Sequence, residues 1–270
     1  MPQLDVMDMV SELKQRGEAF VLATVVRTVA VTAAKAGAKA VIKPDGTITG
    51  GWIGGGCARG AVLKAAQDVL ADGNPRLISV QPPTELELHG VSAGQVKDGV
   101  RFAKNMCPSQ GTMDIFVEAV MPKPSIIICG SSPVAVALAQ LGAVLGYATT
   151  VCAPQTEQAA FENTNTRIEG YVLPVTDPAQ RFVIVATQGK GDEAALRAIL
   201  DIECDYKAFV GSRRKMASIR GTLVGSGASA EAFDKIKAPA GIDIGAISPE
   251  EIALSIMAEV TALRRQKIRS

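Results

Sequence analysis

The hydrophobic positions in the first 120 residues predict a mixture of helices and strands. Residues 6–13 have helical spacing and are followed by Gly17, which predicts a short N-terminal helix. The segment AFVLATVVRTVAVT is rich in β-branched residues and predicts a strand. The Pro44-Asp45-Gly46 turn, between alternating apolar positions, predicts a hairpin. A helix from about Cys57 to Leu70 and strands at RLISV and MDIFVEAV complete an expected α+β domain.

The hydrophobic pattern changes beyond the stiff connector Met121-Pro122-Lys123-Pro124. SIIICG is a continuous apolar strand that enters a glycine turn, and PVAVALAQLGAVLG and YATTVC supply a helix and a second strand. Such a β-α-β unit implies parallel strands with a right-handed crossover. RFVIVAT and YKAFVG predict later buried strands, and a helix starts near Pro249. We therefore predict an α/β protein with domains at 1–120 and 124–270, the second a Rossmann-like, doubly wound parallel sheet.

Charge and composition exclude several classes of protein. The 28 basic and 27 acidic residues leave a net charge of +1 without a basic stripe, so no nucleic-acid partner is expected. No apolar run reaches the roughly 18 residues of a membrane span. The first ten residues do not resemble a signal peptide, so we expect a cytoplasmic protein with reduced thiols. The chain has one histidine, His89, so a histidine-rich metal site is excluded. His89 is interpreted as a surface or loop residue.

The most informative segment is the glycine-rich loop Gly54-Gly55-Gly56-Cys57. Consecutive glycines give no packing and are useful where the backbone must approach a ligand. Cys57 is predicted at a helix N-terminus, where the helix dipole favours the thiolate, and Arg59 adds positive charge. This combination predicts a site for an anionic cofactor that carries sulfur or a metal. The alternative is a small buried cysteine in a tight turn.

The other cysteines fall into different settings. Cys107 lies in a loop rich in proline and glycine, directly before a strand, which makes it a second candidate for ligand contact. Cys129 and Cys152 are embedded in predicted core strands and are expected to be inert. None of the five cysteines forms a C-x-x-C pair, so neither a zinc ribbon nor a thioredoxin-type site is expected.

The Rossmann turn departs from the dinucleotide-binding pattern. Of the G-x-G-x-x-G glycines only Gly130 is present, and Val151-Cys152-Ala153-Pro154 lacks the acidic residue that binds ribose. Gly130, Ser131 and Ser132 therefore predict either a phosphate or pterin-nucleotide cradle, or a capped helix start that binds nothing. The stretch Ser212, Arg213 and Arg214 is either a phosphate clamp or a solvated first helical turn. Classical use of NAD is disfavoured.

The chain resembles the XdhC/CoxI family of molybdenum hydroxylase maturation factors. The matching segments include LATVVRTVAVTAAKAGAKAVIKPDGTITGGWIGGGCARGAV, RFAKNMCPSQGTMDIFVEA, GSSPVAVALA, TQGKGDEAAL, GSRRK and APAGIDIGAISPEEIALSIMAEV, in order over nearly the whole chain. The resemblance implies an N-terminal XdhC domain and a Rossmann domain. It also implies a chaperone that binds molybdenum cofactor (molybdopterin, in free or nucleotide form), protects it during sulfuration and delivers it to a xanthine dehydrogenase-type enzyme.

The resemblance also implies partners, and the loops described above supply the site residues. The expected partners are the large subunit of an apo-molybdoenzyme and a cysteine desulfurase, and we expect a homodimer because the chain is so apolar. No catalytic residue is assigned, since family members are not themselves oxidoreductases, and the metal ligands are unknown. The predicted cofactor-binding residues are Gly54, Gly55, Gly56, Cys57, Arg59, Cys107, Gly130, Ser131, Ser132, Ser212, Arg213 and Arg214.

Three departures point to a particular branch of the family. Gly130-Ser131-Ser132-Pro133 stands where the xanthine dehydrogenase branch commonly has G-A-G-H, and Thr187-Gln188-Gly189-Lys190 stands where it has T-H-D-H. Cys107-Pro108-Ser109 stands where C-G-G is common. These variants resemble the branch associated with carbon-monoxide-dehydrogenase-type hydroxylases. Roles that depend on the missing histidines, including metal binding by the Rossmann half, are not expected.

Two alternative functions come from other classes. The Rossmann topology alone would also suit an NAD(P)-dependent oxidoreductase. A scaffold without cofactor, which docks its partners through the C-terminal helix rich in alanine and leucine, is the other alternative.

Overall fold

The chain folds into two compact units that are divided between Pro122 and Lys123. The computed structural model describes residues 5–162, 164–173 and 180–269. Unit 1 comprises residues 1–122, and unit 2 comprises residues 123–269. Each unit has its own hydrophobic core. None of the helices in these described ranges is long and apolar enough to cross a membrane.

In its described residues, unit 1 is a seven-stranded sheet with three helices. The strand order is β3-β2-β1-β7-β4-β6-β5, mostly antiparallel, with a parallel β4–β6 pair. The elements are α1 (Val6–Arg16), β1 (Phe20–Val29), β2 (Lys39–Ile42), β3 (Ile48–Gly51), α2 (Gly56–Asp72), β4 (Arg76–Gln81), α3 (Pro83–Leu88), β5 (Val96–Lys97), β6 (Val100–Lys104) and β7 (Thr112–Val120).

The core of unit 1 lies between the sheet and α2. Alternate residues of β1, among them Val21 and Ala23, are fully buried against α2, which contributes Val62 and Val69. Because side chains alternate across a strand, the opposite face of the same sheet carries a different set of residues. That second face packs in part against α1, through Val10 and other residues.

The turns that were predicted in unit 1 form by the expected chemistry. In the β2–β3 hairpin Gly46 has a φ of +83°, and Asp45 accepts a hydrogen bond of 2.8 Å from the backbone N–H of Thr47. Helix α1 ends at Gly17, which adopts the left-handed conformation. Two elements were not predicted: the short helix α3 and the β5–β6 hairpin, which turns through Asp98-Gly99.

One edge of the unit 1 sheet gathers several chain segments. The end of β1 pairs with the start of β7, through Val29 and Thr112. The parallel strands β4 and β6 end together, at Gln81 and Lys104. The loops that follow β1 and β6 therefore emerge at the same edge of the sheet.

Unit 2 confirms the predicted doubly wound parallel sheet. Its strand order is β10-β9-β8-β11-β12-β13, and every pair is parallel. Helices α4 and α8 pack on one face and α5 and α6 on the other. The elements are β8 (Ser125–Cys129), α4 (Pro133–Val144), β9 (Ala148–Ala153), a 3-10 helix (Gln155–Ala160), β10 (Thr166–Glu169), β11 (Arg181–Val185), α5 (Asp192–Ile199), β12 (Tyr206–Phe209), α6 (Arg213–Gly225), α7 (Ala230–Asp234), β13 (Ile236–Lys237) and α8 (Pro249–Arg269).

Candidate functional site

The glycine-rich loop of unit 1 ends in a helix start without a side-chain cap. Helix α2 begins at Gly56, and Gly55 at the N-cap position has no side chain that could accept from the first amides. The first turn carries no acidic residue, while Arg59 is exposed there. Because the first N–H groups of a helix have no partner within it, this end of α2 presents donors and partial positive charge. Such an end suits an anion.

Packing does not require glycine at the last two positions of the triplet. Gly54 has a φ of +110°, and a Cβ atom there would lie 3.0 Å from the Cε atom of Met113. By contrast, a Cβ atom on Gly55 or Gly56 would meet nothing within 4 Å. Gly55 has a φ of −79°, which any residue can adopt. The backbone of Gly55 and Gly56 is therefore bare beside open space.

The structure brings the two candidate cysteines of unit 1 to neighbouring segments. The backbone N–H of Met106 donates to the Sγ atom of Cys57, at 3.3 Å. Cys107 is the next residue along the chain, and its side chain is exposed, while Cys57 is half-buried. Cys57 and the loop of Cys107 therefore belong to one surface, although 49 positions separate Cys57 from Met106 in the sequence.

Asn105 shapes the loop that carries Cys107, and sequence reasoning gave it no role. Its side chain is 8% exposed, donates to the carbonyl of Gly111 at 2.6 Å and accepts from the backbone N–H of Cys107 at 3.0 Å. Its own backbone N–H donates to the carbonyl of Gln81, at 2.6 Å. A buried asparagine that ties a loop to a strand end could have been suspected from its place before a Cys-Pro pair.

Large apolar side chains are exposed on the loops of this edge. The indole N–H of Trp52 donates to the carbonyl of Ala33 at 3.3 Å, yet the residue is 59% exposed. Val31 and Met106 are also exposed, and Val31 forms a β-bridge with Gln110. This edge therefore combines an uncapped helix start with exposed apolar side chains.

The glycine turn of unit 2 is built differently. Gly130 has a φ of +122°, and a Cβ atom there would lie 2.5 Å from the carbonyl oxygen of Ala186, so the fold itself requires glycine. The Oγ atom of Ser132 accepts from the backbone N–H of Ala135 at 3.2 Å and so caps α4. The hydroxyl of Ser131 donates to the carboxylate of Glu157.

Glu157 is a residue that sequence reasoning missed at this turn. No carboxylate is present in the segment 151–154, but Glu157, in the 3-10 helix beyond β9, reaches back to Ser131. Both serine side chains of the turn therefore have partners within the protein. A carboxylate at this position also disfavours the approach of a phosphate.

The stretch predicted as a phosphate clamp forms the first turn of α6. Ser212 is the N-cap, and its Oγ atom accepts from the backbone N–H of Lys215 at 3.2 Å. Arg213 and Arg214 are exposed in that turn. The cation that is engaged is Lys215, whose Nζ atom lies 2.5 Å from the Oδ2 atom of Asp192.

Asp192 is an ionised group near the end of β11. Burial acts to raise the pKa of this carboxyl, but hydrogen bonds from Lys215, Thr187 and the backbone of Gly189 outweigh it, so the pKa is below its usual range. The Asp192 residue as a whole is 5% exposed. The polar groups of this loop, like those of the turn at Gly130, are paired with other groups of unit 2.

The three cysteines of unit 2 are buried or partly buried. Cys129 and Cys152 are fully buried neighbours on β8 and β9. The hydrogen bond with Cys152, together with burial, raises the pKa of the Cys129 thiol. Burial also raises the pKa of Cys204. These features disfavour thiolate chemistry at Cys129 and Cys204.

Two family models match the two units. The first match, to the XdhC and CoxI family, covers residues 13–81 and includes the glycine-rich loop and Cys57. The second, to the XdhC Rossmann domain, covers residues 126–260. The fold and the matched segments define a protein with an XdhC-type unit followed by a Rossmann unit. The chain belongs to the XdhC and CoxI family.

Two individual relatives have low sequence identity to this chain. The chain is 26% identical over 239 residues to YqeB of Escherichia coli strain K12, a protein described as uncharacterized. The matched region covers 84% of this chain and 40% of that protein. It is 26% identical over 163 residues to a protein of Bacillus subtilis strain 168 described as a probable xanthine dehydrogenase subunit, covering 57% of this chain and 47% of that protein. The chain thus matches less than half the length of each relative.

A solved structure is also similar. The crystal structure of a xanthine dehydrogenase from Bacillus halodurans shares 19% identity with this chain, with a TM-score of 0.47 and coverage of 96% of both chains.

Proposed function

We propose that this protein is a maturation factor that carries molybdenum cofactor as cargo for a molybdenum hydroxylase of the xanthine, aldehyde or carbon monoxide dehydrogenase type. Membership of the XdhC and CoxI family supports this class of function. The observation that carries the proposal is the bare backbone of Gly55 and Gly56 at the uncapped start of α2. The cargo binds at this edge of unit 1.

The chemistry of the edge suits an anionic, sulfur-bearing cargo. The free N–H groups of the first turn of α2 receive a phosphate, and Arg59 adds charge at the rim. Cys57 lies in the same turn, and Cys107 is exposed on the adjoining loop. Two thiols beside an anion site are suited to protecting a sulfur-bearing cargo, or to accepting sulfur from a cysteine desulfurase.

The client and the assembly are also part of the proposal. We propose that the cargo passes to the large subunit of an apo-molybdoenzyme and that the protein acts as a homodimer. The sequence Cys107-Pro108-Ser109 and the absence of histidine from the two Rossmann loops favour a carbon-monoxide-dehydrogenase-type client. The contacts predicted at Gly130, Ser131, Ser132, Ser212, Arg213 and Arg214 concern unit 2 alone and stay a separate prediction, against which the internal partners of Ser131 and Ser132 count.

The decisive experiment measures the molybdopterin and molybdenum content of the protein after anaerobic purification from a host that makes the cofactor. We expect substoichiometric pterin in the wild type and a loss of most of it in Cys57→Ser. Cys204→Ser is the matched control, since Cys204 is a partly buried thiol of unit 2, and it should retain the wild-type content. Equal retention by both variants would remove Cys57 from the site. A wild type without pterin would favour the scaffold.

A further inference from the structure

Unit 1 also has a cavity on the sheet face opposite to α2. A cavity of about 290 Å³ lies over β4, β6 and β7, which is at the small end of ligand pockets. Its apolar wall is formed by side chains of β4 and β6 and of the chain after α3, namely Leu77, Val91, Val100 and Phe102. Because the cargo site is at the start of α2, this cavity is separate from it.

Polar side chains occupy this sheet face where an apolar layer would be expected. Arg27, Asp114 and Ser79 are directly opposite one another on β1, β7 and β4. Ser79 and Gln81 are 2% and 3% exposed. Burying such groups is unfavourable unless they are hydrogen-bonded, and here every one of them is.

These groups form a continuous chain of hydrogen bonds. The Nε–H of Arg27 donates to Asp114 Oδ2 at 2.5 Å, and the Ser79 hydroxyl donates to Asp114 Oδ1 at 2.6 Å. The amide Nε2 of Gln81 donates to Ser79 Oγ at 2.7 Å. The amide oxygen of Gln81 lies 3.1 Å from Nδ1 of His89, the only histidine of the protein.

The carboxylate fixes the direction of the whole chain. An ionised Asp114 can only accept, so Ser79 must donate to it and must in turn accept from the NH₂ group of Gln81. The oxygen of Gln81 then faces His89, and an amide oxygen can only accept. Nδ1 of His89 therefore carries a proton, and whenever the imidazole is neutral its Nε2 atom presents a lone pair.

The opposite end of this chain of hydrogen bonds, at Arg27, presents donors. Within the described parts of the protein, the hydrogen bond of Arg27 uses its Nε–H, and its terminal N–H groups have no recorded partner. The charges that line the cavity cancel, because Arg27 and Lys97 are matched by Asp98 and Asp114. A ligand with a net charge gains little in such a setting.

We propose that this cavity binds a small, planar, uncharged ring compound that carries both an N–H donor and a carbonyl oxygen, as a cyclic amide does. Its N–H donates to Nε2 of His89, and its carbonyl accepts from the terminal N–H groups of Arg27. The apolar wall packs against the ring faces. This inference does not depend on the proposed cargo.

A single histidine makes the test specific. The full-length protein, without a histidine tag, is labelled with ¹⁵N-histidine, so that its imidazole spectrum comes from His89 alone. The free protein should show the Nδ1–H tautomer. Titration with 2-pyridone, the probe for a cyclic amide, should shift the Nε2 resonance with saturation. Benzoate and benzamidinium, which are planar but charged, should bind more weakly.

Two variants of one residue type test the contacts. Arg27→Gln replaces the guanidinium of an exposed side chain with a shorter amide. The terminal guanidinium N–H groups are lost, and 2-pyridone binding should weaken about tenfold, as for a hydrogen bond to a charged group. Arg101→Gln, on β6, removes an arginine that pairs with Asp68 of α2, and should change binding less than twofold. The proposal is overturned if 2-pyridone gives no saturable shift, if a charged probe binds more tightly, or if both variants bind equally.

Discussion

The two glycine turns of this protein look alike in sequence and differ in construction. Each leads to a helix, α2 in unit 1 and α4 in unit 2. At Gly130 the fold leaves no space for a Cβ atom, and Ser131 and Ser132 have partners within unit 2. At Gly55 and Gly56 there is space, and the helix start has no side-chain cap.

This difference separates two reasons for a glycine. One glycine exists because the backbone conformation and a neighbouring carbonyl exclude any side chain. The glycines of the other kind are not required by the fold, and they leave backbone N–H donors uncovered. That arrangement is expected where a ligand supplies the missing hydrogen-bond partner. Two glycine substitutions test this distinction, and a substitution of Asp192 tests whether the polar groups of unit 2 serve its own stability. They follow from the largest expected effect to the smallest.

Gly130→Ala should destabilise unit 2 by about 2–4 kcal/mol, because the new Cβ atom meets the backbone of Ala186 in an unfavourable region of φ. Urea unfolding can resolve the two units, since the only tryptophan, Trp52, reports on unit 1 and all three tyrosines lie in unit 2. The tyrosine transition should shift while the tryptophan transition stays. An unchanged tyrosine transition would show that the turn tolerates a side chain.

Asp192→Asn should destabilise unit 2 by about 1–3 kcal/mol at neutral pH, because Lys215 and the donors of its loop lose their charged acceptor. The folded pKa is depressed, so this stability is fully present above about pH 4, the ordinary range of an aspartate. It is lost as pH falls through the lowered folded value. Urea unfolding at pH 6 and at pH 2.5 measures the loss.

The exposed Asp243→Asn is the control for that acid series, since Asp243 lies in a turn and accepts from the backbone of Gly245. The gap between wild type and Asp192→Asn should narrow at low pH, while the control stays near the wild type throughout. A gap of equal size at both pH values would mean that the carboxylate is not the source of the stability.

Gly56→Ala should leave the stability of unit 1 unchanged or raise it by up to about 1 kcal/mol, because alanine favours a helix and meets nothing at this position. Its pterin content after anaerobic purification should nevertheless fall, since the methyl group covers the bare backbone. The tryptophan-monitored transition and the pterin assay give the two readouts on one sample. Full retention of pterin would exclude this backbone from the site.

The sequence patterns predicted most of the fold for physical reasons that are local. Periodicity and turn residues located α1, the β2–β3 hairpin and α2, and a continuous apolar strand with a glycine turn located the start of unit 2. The β5–β6 hairpin was missed because its strands are very short, although Asp98-Gly99 is a strong hairpin signal. Helix α3 is too short for a periodic pattern.

The candidate sites were less predictable, because they depend on pairings between distant segments. Cys57 and Cys107 could be selected one by one from their loops, but the hydrogen bond from Met106 that connects them follows from sheet topology. The polar residues Arg27, Ser79 and Asp114 lie on three different strands. Only the strand register shows that they are neighbours. Polar residues at alternate positions of RLISVQ were the available signal.

The place of β7 in the sheet has a consequence for biosynthesis. It is the last strand of unit 1, yet it lies between β1 and β4 and is the only described strand that joins the β3-β2-β1 half to the β4-β6-β5 half. Before residue 112 leaves the ribosome, the nascent chain can form two separate half-sheets at most. The loops of Cys57 and Cys107 therefore cannot be assembled on a growing chain until β7 is inserted. An incomplete polypeptide would then not capture the cargo that we propose.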